Sequence, residues 1–427
     1  MPGQQAQPGQ AAAPRWFYGW LIAGVTLVIY FFSNGLSVFV PQNLAPRLME
    51  TFGATAAEVS RTSLITFGVT AFAAPLAGAL VDRLGVLRVL RTGLVLLGLA
   101  YVAYPFVRTL NELYLLHAVL GLGLACAGLL VNVVLLSRWF VTRRGLVVGA
   151  LAAGSSLAGA TLPLAIAPWV GDPEYGWRYG YGALAGAFWL LAALPGFLLL
   201  RETPASVGQH PDGRAVAAAA VPIEATGTAF GRALRSRTLW CLALGSACLW
   251  FSIQAVTSQL TIFLEQEAGY TPLEATELYS LVFALSFFGK FLYGAASDLF
   301  AKRHVMLAAS LTLLAGCLAL FEPAQGFRLT TDPTRLTVFA AIFGLGFGGS
   351  FTMIQLTVVE SFGQRDLGKI LGLVIFIDAL GGGIGPAVAG QLATTNGSWF
   401  APFAVVTAVA LVAVLNVLFI RPLREAQ

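Results

Sequence analysis

The segment that decides the fold connects two apolar stretches and reads Gly78-Ala-Leu-Val-Asp82-Arg83-Leu-Gly85. A related segment occupies the same place in the second half of the chain and reads Gly294-Ala-Ala-Ser-Asp298-Leu-Phe-Ala-Lys302-Arg303. Both follow the pattern Gly-x-x-x-Asp and continue into basic residues. A weak repeat of this kind, embedded in apolar sequence, indicates two structural repeats within one chain.

Apolar stretches surround both segments and make up most of the chain. Of 427 residues, 57% are hydrophobic and 11% are charged, whereas a soluble domain carries about 25% charged residues. A membrane-spanning helix needs about 20 mostly apolar residues, and lipid forces the backbone to bond within the segment. We therefore predict an all-α integral membrane protein with twelve transmembrane helices in two pseudo-symmetric bundles of six. The predicted helices cover residues 17–40, 59–81, 87–107, 113–137, 145–169, 179–200, 239–264, 274–297, 304–322, 336–360, 367–392 and 399–420.

The longest polar interval between predicted helices runs from Arg201 to Arg237 and separates six helices from six. The start of the chain is rich in Gln, Ala and Pro, which is typical of a disordered tail. The predicted domains are an N-terminal tail (1–14), a first six-helix bundle (15–200), a cytoplasmic linker (201–237), a second six-helix bundle (238–421) and a C-terminal tail (422–427).

The distribution of basic residues predicts the orientation in the membrane. If the N-terminus is cytoplasmic, 18 Lys and Arg residues lie in cytoplasmic segments and 6 in outer loops, and Lys290 completes the total of 25. Cytoplasmic loops carry the excess of Lys and Arg in membrane proteins. We therefore expect both termini in the cytoplasm and the protein in the plasma (inner) membrane. The net charge of +5 then reflects topology, and nucleic acid is not expected as a partner.

Two charged residues, Lys290 and Asp378, lie deep within the predicted helices. A charge at the centre of a bilayer costs about 3 kcal/mol on insertion scales. Charges retained at such a cost mark ion or substrate sites more often than packing sites.

The Gly78–Arg88 segment resembles the signature loop of the major facilitator superfamily, and the resemblance extends over nearly the whole chain. In that family the Asp caps a helix and forms charge pairs at the cytoplasmic face, while the Gly lets two helices touch. The resemblance implies a transporter that works by alternating access. It also implies a role in conformational gating for five charged residues: Asp82, Arg83, Asp298, Arg143 and Arg144.

A narrower resemblance is to the monocarboxylate transporter-like branch, which includes oxalate:formate exchangers. Three features carry it. They are Arg15-Trp-Phe-Tyr-Gly-Trp20, which opens the first helix, the junction of helices four and five, and Lys290 three residues before Tyr293. The junction reads Arg138-Trp-Phe-Val-Thr-Arg-Arg-Gly-Leu146 and runs on to Ala153-Gly-Ser155. This branch places an Arg or Lys at the Lys290 position, which implies substrates that are small organic anions.

Lys290 is the first candidate for binding the substrate carboxylate, because an ammonium group is a compact point charge. It lies eight residues from Asp298, or about 12 Å along a helix. The alternative is a lysine whose side chain extends towards the cytoplasmic interface. Proteins of the resembling branch often carry an acid four residues before the cation, and Ser286 occupies that position here.

Further candidates for substrate contact are polar residues in helices one, four, seven and ten, which line the cavity in the facilitator fold, and aromatic residues that would form its walls. Each is also compatible with ordinary helix packing. They are Asn34, Asn132, Gln254, Ser258, Gln355, Phe283, Phe287 and Phe376.

Two residues are candidates for coupling transport to protons. Asp378 either forms the counter-ion of Lys290 in the empty carrier or binds the transported proton. His117 follows Leu116 at the start of a His-x-x-x-Gly-x-Gly pattern, where many facilitator proteins have Arg. Histidine titrates near neutral pH, although a hydrogen-bonded structural histidine is the alternative at this place.

These features together predict a secondary transporter of small organic anions, with monocarboxylates as the expected substrates and protons as the expected coupling ion. We expect a small carboxylate, protons and the lipid bilayer as partners, no cofactor, no metal and a functional monomer. Carboxylate exchange, export of apolar drug-like compounds and a membrane-embedded solute sensor remain alternatives. An enzyme is not expected, because the sequence has no metal-ligand cluster or catalytic set.

Overall fold

A computed structural model describes residues 16–170, 176–213, 227–322, 328–363 and 365–420. Twelve long helices cross the molecule in this part of the chain, and the predicted all-α fold of two six-helix bundles is confirmed. Their bounds are α1 (Gly19–Asn43), α2 (Ala56–Leu84), α3 (Val86–Phe106), α4 (Leu110–Trp139), α5 (Arg144–Val170), α6 (Gly176–Leu198), α7 (Arg237–Gln266), α8 (Pro272–Leu299), α9 (Lys302–Ala319), α10 (Pro333–Phe362), α11 (Leu367–Asn396) and α12 (Phe400–Leu418).

Eleven of these helices are long and apolar enough to cross a membrane by length and composition alone, and α9 is the exception. It begins with Lys302, Arg303 and His304, which lower its mean hydropathy. Its place among the twelve rests on packing. A Cβ atom on Gly316 would lie 2.6 Å from the Cα atom of Phe343, so α9 and α10 pack with their backbones almost in contact.

The chain forms short elements at the two ends of the molecule. We call the end that holds Trp16, residues 201–213 and the end of α12 the terminal end. The opposite end holds a short helix, Ala45–Phe52, and an antiparallel pair of strands, β1 (Phe321–Glu322) and β2 (Arg328–Leu329).

The predicted linker, residues 201–237, divides its contacts between the two bundles. Gln209 accepts a hydrogen bond from the backbone N–H of Tyr18 (2.9 Å) on the first bundle. The backbone N–H of Phe230 donates to Asp366 (2.9 Å) on the second. The predicted tails 1–14 and 422–427 lie outside the described residues, and the domain limits stay predictions.

Two helix irregularities shape the first bundle. Residues Gly35–Phe39 of α1 form a π-helical turn, and tyrosine hydroxyls bond to carbonyls at this turn. Tyr101 donates to the carbonyl oxygen of Ser33 (3.2 Å) and Tyr181 to that of Leu36 (2.8 Å). Because these polar groups are satisfied inside the protein, α1 can bend without exposing its backbone to lipid.

The second irregularity is a break in α4 at Gly128. The side-chain amide of Asn132 donates to the carbonyl oxygens of Ala127 (2.9 Å) and Gly128 (2.8 Å). Asn132 is fully buried. The structure therefore gives this predicted substrate ligand a local role, because its donors bond to the interrupted helix that carries it.

Two pairs of helices join the bundles, namely α2 with α11 and α5 with α8. Glycines allow the close approach. A Cβ atom on Gly390 of α11 would lie 2.7 Å from the carbonyl oxygen of Ala56. One on Gly159 of α5 would meet the ring of Phe283 on α8. Each pair thus forms a contact surface between the two halves of the protein.

Candidate substrate site between the bundles

Lys290 bridges the two bundles. It lies on α8, and its Nζ atom donates to the carbonyl oxygen of Ala152 (2.7 Å) and to the hydroxyl of Ser155 (2.9 Å), both on α5. Nζ also lies 4.3 Å from the ring centroid of Phe351 on α10. The residue is only 6% exposed. The side chain is therefore turned towards the first bundle and does not extend to the membrane interface.

The surroundings of Lys290 combine polar groups with aromatic walls. The Tyr30 hydroxyl lies close to Ser155 and to Asn34, both in the first bundle. On the second bundle, Trp250 packs edge-on against Phe351 with 5.8 Å between ring centroids. We call these residues the Lys290 cluster: Lys290, Ser155, Tyr30, Asn34, Phe351 and Trp250. The predicted residue Asn34 therefore belongs to it.

The contacts between α8 and the first bundle described here come from one face of α8. Thr276, Tyr279, Phe283, Ser286 and Lys290 follow each other at steps of three and four residues, which is the spacing of a single helix face. Their partners are residues of α1 or α5.

Ser286 and Phe283, both predicted to contact substrate, lie on this face. The Ser286 hydroxyl is 3.1 Å from that of Ser156 on α5. The Phe283 ring packs against Phe39 of α1 with 4.5 Å between centroids and is fully buried. It lies two helical turns from Lys290, towards the opposite end of the molecule.

Two other predicted aromatic residues lie elsewhere. Phe287 packs with Phe288 and Phe291 on the outer face of α8, at centroid distances of 5.7 and 5.0 Å. Phe376 meets Phe72 of α2 at 5.4 Å, in the contact between α2 and α11. The structure separates both from the Lys290 cluster, because Phe287 packs with rings of its own helix and Phe376 packs with a ring of α2.

The polar residues predicted on α7 form contacts towards the opposite end. Gln254 accepts a hydrogen bond from the side-chain amide of Gln42 (2.8 Å). Ser258 donates to the carbonyl oxygen of Ala255 (3.1 Å) on its own helix. These residues therefore act in helix packing and bundle contact in this conformation. Gln355, on α10, is half-buried.

Asp378 does not pair with Lys290. It lies on α11, and its Oδ1 atom accepts a hydrogen bond from the Ser246 hydroxyl of α7. It is 7% exposed. Among the described residues no ion pair reaches it, so the predicted counter-ion arrangement is absent from this conformation. The two deep charges occupy separate networks, one between the bundles and one within the second bundle.

His117 is enclosed in the first bundle. Its Nδ1 atom lies 2.8 Å from the Thr66 hydroxyl, and its Nε2 atom lies 3.1 Å from the Tyr104 hydroxyl. The residue is 1% exposed. Both ring nitrogens have partners, which favours the structural interpretation of His117 over a proton relay.

Polar contacts between the bundles hold the opposite end together, and we single out four of them. Arg47 forms an ion pair with Glu265 of α7, and the other three are hydrogen bonds. We call these four contacts the polar seal. The hydrogen bonds are Gln42 to Gln254 (2.8 Å), Asn43 to Thr276 (3.1 Å) and the Tyr279 hydroxyl to the carbonyl oxygen of Phe39 (3.0 Å).

Among the described residues, the terminal end shows no comparable set of polar contacts between the bundles. All five residues predicted to gate the transporter are exposed there: Asp82, Arg83, Asp298, Arg143 and Arg144. Arg143 lies over the ring of Trp20 at 5.7 Å, within the first bundle. In the described part of the chain, no hydrogen bond or ion pair joins these five residues to the other bundle. Among the described residues, polar contacts thus join the bundles at the opposite end and not at the terminal end.

Comparison with known proteins identifies the family. A family model described as Major Facilitator Superfamily matches residues 22–289 and 260–427. The chain belongs to the Major Facilitator Superfamily. It is a membrane transporter rather than an enzyme, and the resemblance noted for the Gly78–Arg88 loop is confirmed.

Curated relatives within this superfamily are named as monocarboxylate transporters. Monocarboxylate transporter 3 of Rattus norvegicus is 29% identical over 393 residues, which cover 90% of this chain and 75% of the relative. Monocarboxylate transporter 2 of Mus musculus is 25% identical over 429 residues, with 93% and 83% covered. Monocarboxylate transporter 11 of Mus musculus is 28% identical over 415 residues, with 93% and 86% covered. The narrower resemblance is confirmed by these matches.

Several residues of this facilitator-fold site were not predicted. Glu202 bonds to the signature loop through the backbone N–H of Val86 (3.3 Å) and pairs with Arg138 (2.5 Å). Arg47 and Glu265 form the ion pair of the polar seal. Their signal in the sequence is weak, because charged residues at helix ends are common. Only the fold brings positions 218 residues apart together.

Proposed function

We propose that the protein is a secondary active transporter of small organic anions, specifically monocarboxylates, and that it moves them by alternating access together with a proton. The observation that carries the proposal is the placement of Lys290, a buried cation whose hydrogen-bond partners are neutral groups of the opposite bundle. The names of the relatives support the same substrate class. One monocarboxylate and one proton together carry no net charge, so their joint passage requires no charge movement.

The Lys290 contacts suggest how an anion would enter. The ammonium group bonds to a carbonyl oxygen and a hydroxyl, both neutral acceptors. A carboxylate forms shorter and stronger charge-assisted bonds with an ammonium group. The substrate would therefore replace Ala152 and Ser155 as the partner of Lys290. It would also break a link between α8 and α5, because those partners belong to the first bundle.

The walls of the cluster fit a small organic anion. The ring of Phe351 lies against the ammonium group, and Trp250 packs edge-on against that ring. The Ser155 hydroxyl accepts a hydrogen bond from the ammonium group and lies close to the Tyr30 hydroxyl. A short apolar chain would contact the rings. The hydroxyls would donate to a carboxylate oxygen or to a substrate hydroxyl. An exporter of apolar compounds would gain nothing from Lys290 at this place.

Orientation follows from the loop charges. The excess of Lys and Arg in the segments predicted to be cytoplasmic, 18 against 6, supports a cytoplasmic position for both termini and a plasma-membrane location. The conformation described above would then be open to the cytoplasm. A cysteine introduced at Gly213 should resist an impermeant reagent applied to intact cells, and efficient labelling would reverse the assignment.

The substrate proposal is tested by binding and counterflow. Purified protein is heated with lactate, pyruvate, acetate or the neutral analogue lactamide, since a ligand of the folded state raises the melting temperature. We expect stabilisation by at least one carboxylate and none by lactamide. Proteoliposomes loaded with that carboxylate should take up its labelled form.

The matched variants are Lys290→Ala and Lys369→Ala. Lys369 is an exposed lysine paired with Asp366 outside the site. Lys290→Ala should remove both the thermal shift and counterflow, whereas Lys369→Ala should retain them. Equal counterflow by the parent protein and Lys290→Ala would overturn the proposal.

A further inference from the structure

We infer that Asp378 and Ser246 form a proton-binding site in the seam between α7 and α11, separate from the Lys290 cluster. The inference rests on the proposed transport function and adds the place where the coupling proton is held. The starting observation is a buried carboxyl group whose Oδ1 atom accepts a hydrogen bond from a hydroxyl of the neighbouring helix.

The seam is narrow because glycines line it. A Cβ atom on Gly381 would lie 2.3 Å from the carbonyl oxygen of Ala247, and one on Gly385 would lie 2.3 Å from that of Phe251. Asp378 precedes Gly381 by one helical turn and shares its face. The carboxyl group therefore lies where the backbones of α7 and α11 are close together.

Among the described residues, no cation forms an ion pair with Asp378. Four helices (α2, α7, α10 and α12) and the short helix Phe230–Leu234 pack against α11. Within the described ranges none of their charged or titratable side chains forms a hydrogen bond or an ion pair with Asp378, and α12 carries no charge. Those groups, with the charges at the start of α11, are Glu58, Arg61, Asp82, Arg83, Arg237, Cys241, Cys248, Glu265, Arg335, Glu360, Arg365, Asp366, Lys369 and Arg232.

The hydroxyl of Ser246 has two acceptors within reach. One is Asp378 Oδ1, and the other is the carbonyl oxygen of Ala243 at 3.1 Å. When the carboxylate is ionised, the hydroxyl donates to it. When the acid is protonated, it donates to the Ser246 oxygen, whose hydrogen turns to Ala243. Both protonation states therefore keep their hydrogen bonds, which a buried proton site requires.

The helix that carries Ser246 also holds the opposite end closed. Further along α7, Gln254 and Glu265 belong to the polar seal, and Gln259 donates to the Ser60 hydroxyl of α2 (2.8 Å). A change of charge beside Ser246 therefore acts on the helix whose movement opens or closes that end. Uptake of a proton from water converts the carboxylate to the acid and removes the uncompensated charge from the seam.

The proton site is tested first without any substrate. Infrared difference spectra of purified protein, recorded between acidic and basic pH, report the carbonyl stretch of protonated carboxylic acids. We expect a titrating band that is lost in Asp378→Asn and that changes frequency in Ser246→Ala. The control Asp366→Asn removes a partly exposed acid beside the start of the same helix and should keep the band.

The second measurement uses proteoliposomes and labelled pyruvate. A gradient of about one pH unit supports about tenfold accumulation with one proton per anion, since tenfold corresponds to about 1.4 kcal/mol. Asp378→Asn should retain pyruvate counterflow and lose this accumulation, while Asp366→Asn should retain both.

The outcomes separate this inference from the proposed function. If the parent protein shows no counterflow of any carboxylate, the substrate proposal fails, and the infrared result still decides the proton site. If Asp378→Asn keeps the titrating band, or still concentrates pyruvate under a pH gradient, the inference is overturned. If that variant does not fold, an unchanged band frequency in Ser246→Ala would overturn it instead.

Discussion

The two ends of the molecule differ in what joins the bundles. At the opposite end, the ion pair and three hydrogen bonds of the polar seal are among the polar contacts that cross from one bundle to the other. At the terminal end, the polar contacts found among the described residues stay within a bundle or tie it to the nearest part of the linker. Examples are Arg138 with Glu202 and Lys302 with Glu360.

Lys290 lies between the end where polar contacts cross from bundle to bundle and the end where they stay within a bundle. It is the last residue along the contact face of α8 to bond with α5. The next residues towards the terminal end, Tyr293 and Ser297, bond within the second bundle. The site proposed for the anion is therefore the place where contact between the bundles ends. A ligand bound there influences which end is open.

The largest change at the closed end is expected from Gly390→Ala. The added Cβ atom would lie 2.7 Å from the carbonyl oxygen of Ala56 and closer still to the Ser60 side chain. The backbone of one helix residue cannot move without the rest of the helix. We therefore expect the variant to destabilise the closed contact between α2 and α11 by about 3 kcal/mol, near the upper end of the values for overpacking. Spin labels at Arg108 and Gln266 should report a longer distance across the opposite end.

Gly372→Ala is the matched control on the same helix, because a Cβ atom there meets no neighbour. It should leave the distance distribution of the parent protein unchanged. A Gly390→Ala variant that keeps the parent distribution would contradict the role of close helix contact at this end.

The next largest effect is expected from Glu265→Gln. Arg47 and Glu265 are partly buried, with side chains 17% and 14% exposed. Loss of their ion pair should therefore destabilise the closed end by about 2 kcal/mol, a value between those of a surface pair and a buried pair. The same spin labels should show a larger open population. Glu360→Gln breaks an ion pair inside the second bundle and should not change that population. An equal change in both variants would contradict the claim that the Arg47–Glu265 ion pair holds the opposite end closed.

A smaller effect is expected from Gln254→Ala. It removes one hydrogen bond between the bundles, which is worth about 1 kcal/mol. The open population should rise less than in Glu265→Gln, and a carboxylate should still bind, because Lys290 is untouched. Loss of carboxylate binding measured by thermal shift would instead restore Gln254 as a substrate ligand.

The smallest effect is expected at the terminal end. Burial raises the pKa of Asp212, but the backbone N–H groups of Thr142 and Val141 outweigh it, and the net pKa lies below its ordinary value. A lowered folded-state pKa contributes stability that is present above the unfolded pKa of about 3.9 and lost as the pH falls through the folded value. Asp212→Asn should therefore lower the melting temperature slightly at neutral pH.

The difference between Asp212→Asn and the parent protein should shrink below about pH 4. The spin-label distance across the opposite end should stay the same, because Asp212 holds only the first bundle together. A shift of that distance in this variant would show that the two ends are not independent.

Most of the fold could be predicted from the sequence, because membrane-spanning helices are set by length and hydropathy. The predicted seventh helix, 239–264, lies within Arg237–Gln266. Boundaries were less accurate where polar residues continue a helix. The predicted eleventh helix ends at 392, but α11 continues to Asn396, and Gly397 with a φ of 59° ends it. Threonines in its last turn bond back to helix carbonyls, so polarity did not stop the helix.

The candidate site was less predictable, because the partner of each side chain depends on helix rotation. Lys290 and Asp378 were found by their charge in apolar sequence, which local composition is enough to reveal. Their partners were not. Ser155 and Ser246 are ordinary serines within helices, and only packing brings them to a charged group.

The sequence by itself determined that this chain crosses a membrane twelve times, that it consists of two related halves, and that two charges are retained in apolar helices. These properties depend on hydropathy and residue spacing, which are local. Only the tertiary structure decided that Lys290 joins the two bundles while Asp378 lies within one, and that the opposite end is the closed one. These properties depend on which helix faces meet, and residues far apart in the chain make those contacts.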